Sequence, residues 1–88
     1  MGRSKSARKH LIDNIDNFSI LILWKDFAFI MTKHFHFEMD ADTSSSARVF
    51  TRDNETFVAY EPHGNKEKNI CAADRKKAIR ALINLRLL

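Results

Sequence analysis

The residues best suited to chemistry are three cations in the segment ADRKKAIRAL: Lys76, Lys77 and Arg80. At about 100° per residue they fall opposite an apolar stripe of Ala78, Ile79, Leu82 and Ile83, with Asn84 beyond them. Asp74 is placed to cap such a helix. Cations on one helical face, near a start whose free amides point outward, suit phosphate groups. The plainer explanation is a basic face kept for solubility. A second basic cluster, Arg3, Lys5, Arg8 and Lys9, stands in the first ten residues without an acid. Together the two clusters make nucleic acid a candidate partner, contacted through its backbone.

Other constellations are weaker. His34 and His36 would share one face of a strand, and His63 and Cys71 are ligand types that zinc accepts. Their spacing matches no finger or ribbon, and two solvent-facing histidines are the commoner situation, so no metal is expected. Gly2 with Ser6 fits the loose N-myristoylation pattern, against which Arg3 counts. There is no phosphate-cradling glycine loop, no Ser-His-Asp or Cys-His arrangement, and no acid pair with a pocket to perturb it. Asp40 and Asp42 fall in a turn. The chain is therefore read as a non-enzyme without cofactors.

Eighty-eight residues suffice for one domain, 1–88, with residues 1–5 as a flexible basic tail. The net charge of +4 conceals a segregation: both ends are basic, and the middle, 11–65, holds nine of the eleven acids. Such asymmetry favours an anionic partner more than the net charge alone suggests. Cys71 is the single cysteine, which precludes an internal disulfide and fits a reducing compartment. The apolar tract from Phe18 to Met31 is broken by Lys25-Asp26 and is too short to span a bilayer. The basic N-terminus leads into an amphipathic segment rather than an apolar signal core. A soluble, intracellular (cytoplasmic) protein is expected.

The elements that must position these residues are organised around Phe27 to Met39. Every odd position there is apolar except Lys33, and the even positions turn polar after Ile30. A period of two predicts a long strand with Phe27, Phe29, Met31, Phe35, Phe37 and Met39 inward. Leu11, Ile12, Ile15 and Phe18 predict a helix over about 6–18, with 19–24 open between helix and strand. Arg48–Arg52 and Thr56–Tyr60 form a hairpin across Asp53-Asn54-Glu55. Pro62-His-Gly-Asn is a turn, and Ile70-Cys71 could add an edge strand. The expected fold class is α+β. An antiparallel meander of three strands, four if the edge forms, carries N- and C-terminal helices on one face.

The order α-β-β-β-α, with DRKKAIRAL opening the final helix, resembles the double-stranded-RNA-binding domain. That resemblance implies phosphate contacts from Lys76 and Lys77. The glycines expected before the helix are replaced by Cys71-Ala72-Ala73, and the alanine-rich helix body is missing. The portion 47–86 is similar in element order to arm-type DNA-binding domains of phage integrases.

Two functions follow. The first is a small regulatory protein, such as a phage-type inhibitor, that binds a protein partner through an apolar patch of Ile20, Leu21 and Trp24, alone or as a homodimer. The second is a backbone-directed nucleic-acid-binding domain using Lys76, Lys77, Arg80 and the N-terminal cluster. What separates them is whether Ile20, Leu21 and Trp24 are exposed or buried.

Overall fold

The computed structural model describes residues 5–41, 45–62 and 68–88, with side chains from residue 7 onward. Helix α1 spans Lys5–Asp13, α2 spans Trp24–Phe29, and a π-helical turn, Ile30–His34, continues α2. Strands β1 (Glu38–Ala41), β2 (Ala47–Arg52) and β3 (Glu55–Tyr60) form one antiparallel sheet in the order β1-β2-β3, and α3 (Ala72–Asn84) follows. The α+β meander between N- and C-terminal helices is thus as expected. Of the basic tail read over 1–5, Lys5 opens α1 and the rest, like Gly2 and His63, lies outside the described residues.

The long strand does not form. Only its last residues, from Glu38, pair with β2, and most of Phe27 to Met39 is helical. Within the odd row, Phe27, Met31 and Phe35 are separated by four, so they also make one stripe of a helix. Those three are buried, while Phe29 and Lys33, midway between them, are exposed. Trp24 and Ile30 lie on the same buried side. The π turn closes with the Phe35 amide donating to the Ile30 carbonyl at 3.0 Å, and Thr32 Oγ1 bonds back to the Ala28 carbonyl at 2.8 Å. The Phe35 carbonyl accepts from Arg52 Nη1 at 2.8 Å, which ties the helix end to the hairpin. His36 then turns the chain at φ 59°, and Phe37 re-enters the core. His34 and His36 therefore do not share a strand face.

The hairpin forms with a two-residue loop. Arg52 faces Glu55, and Asp53 takes φ 53°, which aspartate tolerates better than most residues. Phe50 and Phe57 are paired in register, with rings stacked at 5.0 Å. Phe50 also makes edge-to-face contacts with Trp24 and Phe27, and Phe37 with Phe57, so aromatic rings from α2, the sheet and the segment between them make one core. Leu11 and Ile15 from the N-terminal segment complete it, with Ala78, Ala81 and Leu82 from α3. Burying a phenylalanine contributes roughly 1.5–3 kcal/mol, so this cluster dominates the stability of so small a chain.

Helix α1 is shorter than its apolar pattern suggested. Asn14 bonds the His10 carbonyl through its side chain at 2.8 Å, and Asn17 Oδ1 accepts from both the amide and the hydroxyl of Ser19. Such local side-chain bonds compete with the helical ladder and end it. The segment from Asn14 to Ile22 is a run of turns. Leu23 makes an isolated bridge with Asn69, flanked by Trp24 N to Lys68 O at 2.9 Å and Ile70 N to Ile22 O at 3.0 Å. Ile70-Cys71 adds no strand to the sheet, which has three among the described residues.

Candidate nucleic-acid interface

Helix α3 lies across β3 and is locked there by two residues at its start. The N-cap is Cys71, without a side-chain cap bond. Asp74, expected at the cap, sits inside the first turn and is buried. Its Oδ2 accepts the Tyr60 amide at 2.9 Å, and its Oδ1 pairs with Lys77 at 3.3 Å. A carboxylate in the first turn also complements the helix dipole.

Arg75 is the more consequential residue. Its side chain is buried and donates to four carbonyls of the turn run: Nε to Ile15 at 2.9 Å, Nη1 to Ile20 at 2.7 Å, Nη2 to Asn14 at 2.9 Å and to Asn17 at 3.0 Å. The guanidinium also lies 4.8 Å from the centre of the Phe18 ring. Burial pushes its pKa below the ordinary arginine value, opposed by the charge of Asp16, yet arginine stays protonated in proteins. Arg75 is thus a structural clamp rather than part of the solvent-facing cluster.

With Asp74, Arg75, Ala78, Ala81 and Leu82 turned inward, the outward face of α3 carries Lys76, Lys77 and Arg80. The buried stripe differs from the expected one: Ala81 replaces Ile83, which is 54% exposed, and Ile79 is half-buried. Lys77 is engaged, since besides Asp74 it reaches the Val58 carbonyl at 3.3 Å. Lys76 and Arg80 are exposed and make no ion pair among the described residues. Both line two shallow hollows. One, of about 480 Å³, lies between α3 and β3, where Thr56 and Glu55 form the opposite wall and Glu55 is held by Asn84 at 3.1 Å. The other, of about 350 Å³, opens between α3 and the turn run, over Phe18, Ile79 and Ile83, with Asp16 at its rim.

The N-terminal cluster is dispersed. Arg3 lies outside the described residues, and the side chain of Lys5 is likewise not described. Arg8 places its guanidinium 4.0 Å from the centre of the Phe29 ring, and Lys9 pairs with Asp13 at 3.0 Å. Both line a third hollow, of about 420 Å³, between α1 and the helical turn, to which Lys33 and His34 also contribute. A strand reading put those two residues elsewhere. Their helical spacing from Phe29 and Ile30 was the available signal.

The three residues proposed as an apolar interface separate. Trp24 is buried against Phe27 and Phe50, Ile20 is half-buried against the core, and Leu21 alone stands out at 68% exposure. No three His, Cys, Asp or Glu side chains converge as a metal site among the described residues. Nor is any described helix long and apolar enough to cross a membrane. Compared with protein-family models, curated proteins and solved structures, the chain has no significant match.

Proposed function

We infer that this chain is a small nucleic-acid-binding domain that contacts the phosphate backbone through the outer face of α3, without catalysis and with little regard to sequence. The observation that carries the reading is the pair Lys76 and Arg80, exposed and without an ion pair among the described residues, one turn apart on a helix anchored by Asp74 and Arg75. Anchoring matters because a cation held on a rigid element loses less freedom on binding than one on a loop. Lys77 sits beside them with part of its charge committed to Asp74. Burial of Trp24 removes the largest member of the rival apolar patch.

A protein partner or a second copy remains the second reading, favoured by the exposure of Leu21 and of Ile83. In that case the chain acts as a small regulatory protein.

The nucleic-acid reading is tested by titrating a mixed-sequence duplex at two salt concentrations. Backbone binding releases counterions, and affinity falls by about 0.9 log units per log unit of salt for each duplex phosphate contacted. Replacing Lys76 and Arg80 together by alanine should lower the slope by up to about two and leave the fold intact, because both side chains are exposed. Lys77 is best left in place, since removing it takes away the ion-pair partner of the buried Asp74 carboxylate. Absence of binding by the intact protein at about 50 mM salt overturns the reading.

A further inference from the structure

We propose that the hollow between α1 and the π turn is a second nucleic-acid contact, one that takes an unpaired base of a single strand. The inference rests on the nucleic-acid reading for the class of partner, but on different residues. The floor of the hollow is apolar, formed by Ile12, Ile30 and the ring of Phe29, which is 40% exposed. Its rim is cationic: Arg8, Lys9 and Lys33, with His34 beside them. The one carboxylate there, Asp13, is already paired with Lys9 at 3.0 Å. Lys33 is exposed and has no ion pair among the described residues.

An exposed aromatic ring ringed by cations is the arrangement that single-strand binders use. Bases have apolar faces that stack on aromatic rings and on guanidinium planes, while the flanking phosphates find the cations. Here the two stacking partners already lie together, Arg8 against Phe29 at 4.0 Å from the ring centre. A base adds to that stack, and a flanking phosphate reaches Lys33, whose charge is not committed to a carboxylate among the described residues. A paired base cannot enter, because its faces are occupied by its neighbours in the duplex. The volume, about 420 Å³, admits one base with its sugar rather than a folded partner. The charge of the rim selects an anionic chain over an apolar peptide.

The test is fluorescence anisotropy of a labelled oligodeoxythymidylate and of a mixed-sequence duplex of equal length, at about 50 mM salt. Phe29→Leu keeps an apolar side chain and removes the stacking ring. It should weaken the single strand about tenfold and leave duplex binding within about twofold. Lys33→Glu, at an exposed position, serves as a second variant should Phe29→Leu unfold, and it should also weaken the single strand selectively. The proposal is overturned if either folded variant binds the single strand as the intact protein does, or if the intact protein binds no single strand. Lys76→Ala/Arg80→Ala separates the two readings. Loss of duplex binding there, with the Phe29 variant silent, retains the α3 interface and removes this one. The reverse pattern retains the stacking site and removes the α3 interface.

Discussion

Arg75→Ala should cost about 3–5 kcal/mol, a large share of the roughly 5–10 kcal/mol that holds a chain of this size together. The Asn14 and Asn17 carbonyls also accept turn amides, from Asn17 and Ile20, and keep those bonds. The Ile15 and Ile20 carbonyls have Arg75 as their hydrogen-bond partner among the described residues and lose it. The Ile15 acceptor is buried and costs about 1–3 kcal/mol when left unpaired, the part-buried Ile20 acceptor costs less, and the lost packing of the side chain, with its contact to Phe18, adds to both. Lysine should recover only part of the loss, because a point ammonium cannot span four carbonyls as a planar fork does. Hydrogen exchange would localise the effect: amides from Asn14 to Ile22 should lose protection before those of the sheet. A loss under about 1 kcal/mol would show that the turn run is held by something else.

The second large effect distinguishes helix from strand. Phe27 is fully buried, with ring contacts to Trp24 and Phe50 at 5.7 Å each. Phe27→Ala should therefore cost about 3–5 kcal/mol. Phe29 is two residues on and 40% exposed, so Phe29→Ala should cost about 1 kcal/mol, including the contact with Arg8. On a strand the two side chains would share a face and a fate. Chemical denaturation of both variants decides it: similar midpoints would contradict the helical segment, and widely separated ones are expected.

That pair also shows why the sequence misled where it did. Apolar residues at 27, 29, 31, 35, 37 and 39 satisfy a two-residue period, yet 24, 27, 31 and 35 satisfy a helical one. Periodicity alone does not choose between them. The choice is made by Trp24 and Ile30, whose burial a strand from Phe27 leaves unexplained, and by a π turn that brings Phe35 into line. The hairpin was legible because its turn residues, Asp53 and Asn54, act locally. So was α3, whose length and amphipathic pattern leave little choice of element. Its buried stripe was not, because Asp74 read as a cap, and nothing in the sequence marks Arg75 as buried until the backbone groups that the two serve are known. Lys76 and Arg80 were legible as exposed cations from spacing alone. The meeting of Arg8 with Phe29 was not, since it joins segments about twenty residues apart through tertiary packing.

Phosphate contact by the outer face of α3 is tested most directly by an amide NMR titration of the labelled protein with a mixed-sequence duplex at about 50 mM salt, repeated at higher salt. Shifts should concentrate in the first half of α3, around Lys76 and Arg80, and in the facing Glu55–Phe57 segment of β3, and fade as salt rises. Shifts centred on Leu21 that follow protein concentration, with α3 unmoved by the duplex, would contradict it and identify self-association instead.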